Sequence, residues 1–405
     1  MDGHWADELD RIVDEYVPEM VALRRYMHIH PEPSGAESGT SSHLYARLAD
    51  AGVQVRLGAE GRGVIADDGS DRDCPRMALR ADIDALRIQD RKQVEYCSQT
   101  PGLMHACGHD GHTATVYGAI LALRRADQES KLPWPVCWRG IFQPAEETST
   151  GANEMIALGA LNGVDAIISL HMDPSRRLGN IGVRVGALTA ACDEMKIRIK
   201  GRGGHAARPH ESIDPIAAAA QLISSIYLFV PRAIESYDPV VVTIGQVIGG
   251  DNANVIPEEV FLNGTLRTLG GALRERTKGH LRQLARGIAE ASGTTIEVEF
   301  NKGPDSVNND PRLTALFREA ATALLGTGHV EEIPRPSMGG EDFAHYLEHV
   351  PGSMFRLGCV SESVGGAPLH SPLFDIDERA LAIGAKILAR TTVLWSNPDR
   401  QHWRG

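Results

Sequence analysis

The segment MHACGHDGH, residues 104–112, concentrates side chains that bind metal ions or carry protons. Cys107 and His109 stand two positions apart beside Gly108 and Gly111, where the backbone can bend enough for both side chains to face one point. Thiolate and imidazole suit Zn²⁺ and also accommodate Mn²⁺ or Co²⁺. An isolated Cys-x-His is more often a buried cysteine beside surface histidines, but the density of ligands here favours a metal site.

Further candidate ligands follow predicted strands elsewhere in the chain. Glu146 and Glu147 come after the apolar run that ends at Phe142, His171 follows another such run, and His370 lies in a late loop. Open α/β sheets bind ligands outside the carboxyl ends of their strands, so these residues can converge there. Adjacent glutamates are usually a solvated pair. In one crowded site, however, one can bind metal while its neighbour takes a proton.

Both ends of the chain predict an α/β pattern. An opening helix is indicated by apolar residues at helical spacing from Leu9 to Met27, closed by Pro31 and Pro33. Short apolar runs then alternate with helix-like stretches. The runs are 77–79, 136–142, 166–170 and 354–357, and the helix-like stretches include 113–125 and 152–161.

The middle of the chain predicts a different order of elements. Strand, helix, strand, strand, helix and strand follow one another, which is the ferredoxin-like order. They are predicted at 192–201, 213–230, 239–248, 258–268, 272–291 and 294–300. We therefore expect one α/β domain formed by residues 1–186 and 303–405, interrupted by an inserted domain at 187–302.

Length and charge restrict the classes of function. A chain of 405 residues suits two domains. With 41 basic and 53 acidic residues, a net charge of −12 and no long run of one sign, neither nucleic acid nor a membrane is an expected partner. The amino terminus lacks a signal pattern, and six scattered cysteines suit a reducing compartment better than a disulfide framework, so we predict a cytoplasmic protein.

Eight ordered motifs give the chain a family resemblance. It resembles the M20 metallopeptidases, in the subgroup of aminoacylases, hippurate hydrolases and hydrolases of indole-acetyl amino acid conjugates. The resemblance implies a di-metal catalytic domain of mainly parallel sheet with an inserted ferredoxin-like lid that commonly also mediates dimerisation, and hence a homodimer or larger homo-oligomer. The motifs are LRADIDAL (79–86), MHACGHDGHTA (104–114), FQPAEE (142–147), GGHAARPH (203–210), NVIP (254–257), GTLRT (264–268), MGGEDFA (338–344) and LHSPLFDIDERAL (369–381).

The resemblance also implies a set of metal ligands. Cys107 would bridge two divalent ions, Zn²⁺ or Mn²⁺, with Co²⁺ as a further candidate. Glu147 and His370 would complete the coordination of one ion, and His109 and His171 that of the other. His105, Asp110 and His112 of the same motif are then left with supporting roles.

The same resemblance implies roles for residues around the metals. Glu146 would be the general base, and His205 of the lid, from the same or a second subunit, would stabilise the developing oxyanion. Asn254 and Arg267 would engage the free carboxylate of a small-molecule substrate, and Gly340 would border the pocket. A strand-end arginine is often only a surface charge, which is the alternative for Arg267.

Some positions depart from the pattern of many relatives. Asp82 stands where many M20 proteins have a metal-binding histidine, and Cys107 stands where the bridging residue is often aspartate. Both differences mark the aminoacylase-like subgroup. Asp84 would orient a ligand imidazole. Arg87 follows Leu86 where proline is usual, which places an extra cation near the site entrance.

These residues together predict hydrolysis of an N-acyl or N-aroyl amino acid to a carboxylic acid and an amino acid. One alternative is a hydrolytic deaminase of an activated aromatic amine, because the same activated water can displace ammonia from an electron-poor ring. Another is a catalytically silent protein that binds a metal or ligand. Glu146 argues against the silent protein, because a binder needs no base beside a metal ligand.

Overall fold

A computed structural model describes residues 4–68 and 73–403, and the chain forms two compact units. The first unit takes in the described residues up to 186, residues 308–335 and those from 342 onward. The second unit consists of residues 187–307 and 336–341.

The helices and strands are numbered here in chain order. The helices are α1 (His4–Ile29), α2 (Ser38–Asp50), α3 (His109–Gln128), α4 (Gly151–Ala157), α5 (Pro215–Ala233), α6 (Gly271–Ser292), α7 (Pro311–Leu325), α8 (Ala344–Leu347) and α9 (Arg379–Trp395). The strands are β1 (Gln54–Leu57), β2 (Val64–Asp67), β3 (Arg76–Asp82), β4 (Cys137–Gln143), β5 (Ala166–Arg177), β6 (Ile181–Val183), β7 (Gly186–Ala187), β8 (Ala191–Lys200), β9 (Gly204–His205), β10 (Val240–Ile248), β11 (Val255–Ile256), β12 (Glu259–Thr268), β13 (Thr295–Lys302), β14 (Asn308–Asn309), β15 (Val330–Glu332) and β16 (Gly352–Val360).

The first unit is built on a sheet with the order β1-β2-β4-β3-β5-β16-β6-β15. Its central strands β4, β3, β5 and β16 run parallel to one another. Strands β3 and β4 are buried on both faces, as expected for the middle of a parallel sheet. The predicted α/β fold with a mainly parallel sheet is confirmed.

Helix α3 occupies the centre of the first unit. It packs against α1, α9 and β3, and it is buried along almost its whole length. Most of the apolar residues that predicted α1 are fully buried on its inner face, among them Leu9, Ile12, Leu23 and Met27, whereas Tyr16 is half-buried. This packing fixes the amino-terminal end of α3, which begins at His109.

The second unit contains an antiparallel sheet with the order β10-β12-β8-β13, accompanied by α5 and α6. The elements follow the predicted ferredoxin-like order. Helix α5 begins where the sequence favours a start, because the Asp214 side chain accepts hydrogen bonds from the backbone N–H groups of Ile216 and Ala217 and proline occupies the first helical position.

Helix α5 is the single helix among the described residues that is long and apolar enough to span a membrane, judged by length and composition only. One of its faces packs within the second unit through Ala218, Leu222 and Ile226. Its other face carries the exposed side chains Ile216 and Leu228.

The cysteines differ from the sequence expectation. Cys74 and Cys137 form a disulfide, with Cα atoms 6.0 Å apart. The sequence had predicted free cysteines rather than disulfides. Cys137 begins β4 opposite Arg76 of β3, and this parallel pairing brings the two cysteines together although 63 positions separate them. Cys97, Cys107, Cys192 and Cys359 are free thiols.

Candidate metal centre and active site

The five predicted metal ligands lie together in the first unit. The Cys107 Sγ atom lies 3.6 Å from His171 Nε2, and the Glu147 Oε1 atom lies 3.8 Å from His109 Nε2 and 3.4 Å from His370 Nε2. Ligand atoms of Cys107, His109 and Glu147 lie within 4.8 Å of one another. Side chains from four separate parts of the chain thus converge on one small volume.

Unusual backbone conformations place these side chains. Gly108 is left-handed with φ of 88°, and a Cβ atom there would press against Met172, so glycine allows the chain to turn between Cys107 and α3. His370 is also left-handed, with φ of 63°. Residues other than glycine keep such a conformation only where their surroundings enforce it, and these conformations cluster at functional sites.

The hydrogen bonds of two histidines leave one ring nitrogen directed at this volume. The Nδ1 atom of His171 donates to the carbonyl oxygen of Met172 at 2.7 Å, and that of His109 donates to the carbonyl oxygen of Asp84 at 2.9 Å. Because a neutral imidazole has one donor and one acceptor, Nε2 of each ring carries a lone pair. In His109 that lone pair has no hydrogen-bond partner among the described residues, and neither has Oε1 of Glu147.

The electrostatics of the cluster call for positive charge. Burial raises the pKa of the Cys107 thiol and lowers that of His171 well below its usual value. Burial alone would lower the pKa of His109, but the charge of Asp82 and the hydrogen bond to Asp84 outweigh it and raise the value well above normal. The raised pKa of His109 shows that its surroundings favour a positive charge, and a divalent cation such as Zn²⁺ would take the place of that proton. The imidazole nitrogens, the Cys107 sulfur and the unpaired Glu147 Oε1 make a donor set that fits such a cation.

Another histidine of the motif, His112, is already engaged. His112 lies 2.7 Å from the Asp82 carboxylate through Nδ1 and accepts the backbone N–H of Met172 at Nε2, at 2.9 Å. Asp82 is also paired with the buried Arg80, at 2.7 Å. Asp82, His109 and His112 are close enough to hold an ion, but His112 has no nitrogen left for one. His112 therefore has a supporting place beside the site.

Asp84 connects a histidine to the glutamate loop. Its Oδ1 atom lies 3.2 Å from His109 Nδ1, and its Oδ2 atom accepts from the Ser34 hydroxyl at 2.7 Å and from the Glu147 backbone N–H at 3.1 Å. One carboxylate thus orients the imidazole of His109, as predicted, and also anchors the loop that follows β4.

Glu146 stands beside these ligands at the edge of the buried region. It is 9% exposed, and its Oε2 atom lies 3.9 Å from His109 Nε2. A carboxylate in this position is close to the volume that the ligands surround and is still open to water on one side.

The remaining predicted residues, His205, Asn254, Arg267 and Gly340, belong to the second unit. His205 pairs with Val255 across β9 and β11, and the backbone N–H of Ala206 donates to the Asn254 carbonyl oxygen at 3.0 Å. The second unit therefore brings His205 and Asn254 close together.

Arg267 and Gly340 lie together in another part of the second unit. Arg267 stands opposite Cys192 in the sheet, and its Nη1 donates to the Met338 carbonyl oxygen at 3.0 Å. A Cβ atom on Gly340 would lie 3.3 Å from that of Cys192.

Several buried polar residues that support the site were absent from the sequence prediction. Arg24 and His28 of α1 contact Asp110, at 2.9 Å and 2.7 Å, behind the first turn of α3. Glu37 accepts a hydrogen bond from the Ala145 backbone next to Glu146, at 2.8 Å. The polar stretch HPEPSGAE at 30–37 could have indicated a supporting segment, because the end of a helix alone does not require so many charged and small residues.

Comparisons with known proteins agree with this geometry. Residues 78–393 match the family model described as peptidase family M20/M25/M40. The chain is 38% identical over 367 residues to N-acetyl-L-cysteine deacetylase of Bacillus subtilis (strain 168), covering 90% of this chain and 85% of the relative. It is 36% identical over 382 residues to IAA-amino acid hydrolase ILR1-like 4 of Arabidopsis thaliana, covering 93% and 85%.

A solved structure from Bacillus subtilis is also similar. It is described as a dinuclear metal binding peptidase from the M20 family, and it shares 35% identity and a TM-score of 0.81 with this chain. The match covers 95% of this chain and 99% of the solved one.

Proposed function

The chain belongs to the M20/M25/M40 peptidase family, and we propose that it hydrolyses the amide bond of N-acyl or N-aroyl amino acids. The products are a carboxylic acid and a free amino acid. One observation carries the proposal: the buried lone pairs of His109 and Glu147 face the Cys107 thiol, with Glu146 alongside. The relatives named as a deacetylase and as an amino acid conjugate hydrolase support this substrate class.

The five ligands are proposed to hold two divalent ions, Zn²⁺ or Mn²⁺, with Co²⁺ as a further candidate. Cys107 is shared, Glu147 and His370 complete one set, and His109 and His171 complete the other. The position of Cys107 supports its being shared, since Sγ lies 3.6 Å from His171 Nε2 and within 4.8 Å of ligand atoms of His109 and Glu147. Bound there, such ions would supply positive charge that acidifies water and polarises the scissile carbonyl.

Glu146 is proposed to move the protons of the reaction. Its carboxylate takes a proton from the attacking water and passes it to the leaving nitrogen, so that the amine departs neutral. Its neighbour Glu147 is proposed to bind a metal ion, so the two adjacent glutamates have different roles.

Residues of the second unit are proposed to bind the substrate and stabilise charge. Nδ1 of His205 accepts the backbone N–H of Ala207 at 3.1 Å, so the neutral ring carries its proton on Nε2 and can donate to an oxyanion. Arg267 and Asn254 are proposed to bind the free carboxylate of the substrate, and Gly340 is proposed to border the pocket.

A homodimer that forms through the second unit is proposed as the assembly. Strand β10 is an edge strand, and it exposes Val247 and Ile248, while α5 exposes Leu228 and Phe229. Unpaired edges and contiguous exposed apolar side chains are features of protein interfaces. Leu228→Glu should convert a dimer to monomers in light scattering. A wild-type monomer at micromolar concentration would contradict the dimer.

The location of the protein is proposed to be the cytoplasm, with a small molecule as its partner rather than nucleic acid or membrane. The overall charge of −12 supports the absence of a nucleic acid or membrane partner. The free thiol at Cys107 supports a reducing compartment, because that thiol has to stay reduced to serve as a ligand, whereas the Cys74–Cys137 disulfide is of a kind rare in the cytoplasm.

The proposed activity is tested with acetyl, benzoyl and indole-acetyl derivatives of a set of amino acids. Apoprotein is loaded separately with Zn²⁺, Mn²⁺ and Co²⁺, and products are identified by mass spectrometry. Each substrate has a matched control in which the free carboxylate is converted to an amide. We expect equimolar acid and amino acid, and slower cleavage of the amide controls. Absence of cleavage across the panel would contradict the proposal, and ammonia without free acyl acid would indicate a deaminase.

A further inference from the structure

The carboxylate of Glu37 is buried beside the candidate active site without a part in the chemistry described above. The residue is fully buried, between α1 and α2. Its Oε1 atom accepts two backbone hydrogen bonds, from Gly35 at 2.9 Å and from Ala145 at 2.8 Å. The second of these bonds joins positions 108 residues apart and ends on the residue before Glu146.

Ala145 holds a conformation that depends on its surroundings. Its φ of 52° is left-handed, which a residue with a side chain rarely adopts. The chain then turns tightly, because the backbone N–H of Ser149 donates to the Glu146 carbonyl oxygen at 2.7 Å and that of Gly151 donates to the Ala145 carbonyl oxygen at 3.2 Å. The direction of the Glu146 side chain is therefore set by a turn that Glu37 secures at its first residue.

The residue after Glu146 is secured by the same segment of chain. The Glu147 backbone N–H donates to Asp84 Oδ2, and the Ser34 hydroxyl donates to that same oxygen atom. Glu146 thus lies between two backbone N–H groups, each bound to a buried carboxylate. Ser34 and Glu37 lie in one segment and support both attachments.

The two oxygen atoms of Glu37 are used differently. Oε1 makes both hydrogen bonds, whereas Oε2 has no hydrogen-bond partner among the described residues and lies 3.8 Å from Arg62 Nη1. An oxygen atom at the correct reach is therefore what the turn requires. An amide oxygen of the same reach can accept the same hydrogen bond from Ala145.

We propose that Glu37 is a positioning residue for Glu146, acting through the Ala145 backbone, a role that rests on the proposed function of Glu146 as the base. Glutamine at position 37 keeps the reach and the accepting oxygen but loses the charge. Aspartate keeps the charge but is one methylene group too short to reach Ala145. The two variants therefore separate positioning from an electrostatic effect.

The test measures kcat, KM, metal content and melting temperature for Glu37→Gln and Glu37→Asp with the metal-loaded, full-length enzyme. We expect Glu37→Asp to lower kcat about 10- to 100-fold, because small misplacements of a reacting group cost about this much. KM and metal content should stay near wild type, since Cys107 and His109 are untouched. Glu37→Gln should keep kcat within about threefold, consistent with an intact hydrogen bond of modest net value.

Glu32 provides a matched control from the same segment. Its carboxylate accepts from the backbone N–H groups of Gly39 and Thr40 at the start of α2, at 3.2 Å and 2.7 Å, with no bond to the 144–151 loop. Glu32→Asp should lower the melting temperature and leave kcat unchanged. Equal loss of kcat in Glu32→Asp and Glu37→Asp would overturn the positioning role.

Three further results would overturn the proposal in distinguishable ways. A Glu37→Gln enzyme that loses kcat beside a Glu37→Asp enzyme that keeps it would assign the effect to charge rather than reach. A Glu146→Gln enzyme with wild-type kcat would overturn the proposed function and the positioning role together. An inactive Glu146→Gln beside a fully active Glu37→Asp would overturn the positioning role alone.

Discussion

Replacing Asp84 with asparagine should weaken the metal site through the protonation of His109. Oδ2 of Asp84 accepts from the Ser34 hydroxyl and the Glu147 backbone N–H, so the single oxygen of asparagine is favoured on that side. The amide NH₂ group then faces His109 Nδ1, which lies 3.2 Å from Oδ1 in the wild type. A ring that accepts from this NH₂ group carries its proton on Nε2, where a metal has to bind.

The expected loss of metal affinity depends on which contacts of His109 change. The donor bond from His109 to the Asp84 carbonyl oxygen, at 2.9 Å, survives and opposes the tautomer change. Removing a carboxylate that orients a ligand histidine usually costs 10- to 100-fold in metal affinity. This corresponds to about 1.4 to 2.7 kcal/mol at 25 °C. The ion held by His109 should weaken more than the ion held by Glu147 and His370.

The assay is a stepwise titration with a competing chelator, with metal content measured by mass spectrometry. Asp310→Asn is the control, because Asp310 caps α7 by accepting from the backbone N–H groups of Arg312 and Leu313, and asparagine caps helices about equally well. The control should bind both ions as the wild type does. Wild-type affinity for both ions in Asp84→Asn would refute the tautomer argument.

Three more predictions follow from other contacts. Cys107→Ser should weaken both ions together, because in the proposed arrangement one sulfur atom serves both; loss of a single ion in metal analysis would contradict the bridge. Glu146→Gln should lower kcat about 100- to 10,000-fold with unchanged metal content, since general base catalysis contributes about this factor; stopped assays check kcat, and residual activity above one tenth would contradict the base role. For Asp90, burial would raise the carboxyl pKa, but hydrogen bonds from His28 and from the backbone N–H groups of Lys92 and Ser98 lower it below its ordinary value of 3.8. The folded state therefore gains stability from Asp90 above pH 3.8 and loses it as the pH falls below that value, so Asp90→Asn should flatten the acid side of the stability curve in urea titrations from pH 6 to pH 3. A wild-type acid slope in Asp90→Asn would contradict the lowered pKa.

The periodic part of the fold was predictable from the sequence. The apolar positions of α1 at helical spacing are buried, and the ferredoxin-like order of the second unit appears in the alternating burial of β8. Strand β5 was predicted to end at Leu170 but continues to Arg177, because β16 pairs with it along this extension. His171 therefore lies within a strand rather than after one. Pairing partners of this kind are not encoded in local periodicity.

The family prediction is confirmed, and so is the prediction of an amide-bond hydrolase. The motifs supplied the residues Cys107, His109, Glu147, His171 and His370, and the structure brings them together. Their individual roles are proposals.

Other parts of the site could not be predicted from the sequence because they depend on distant contacts between ordinary residue types. Glu37 stands in a polar stretch that is typical of a loop, and its proposed role follows only from its contact with Ala145. The Cys74–Cys137 disulfide likewise follows from the pairing of β3 with β4. The spacing of residues along the chain predicts neither the contact of Glu37 with Ala145 nor this disulfide.

The most direct test of the central claim is hydrolysis of an N-acyl amino acid in ¹⁸O-labelled water by the metal-loaded enzyme. If water attacks the acyl carbonyl with Glu146 as base, mass spectrometry of the first turnover products will find one ¹⁸O atom in the carboxylate of the released acid and none in the amino acid. Label in the amino acid product, or an intact amide bond with ammonia released, would contradict the account.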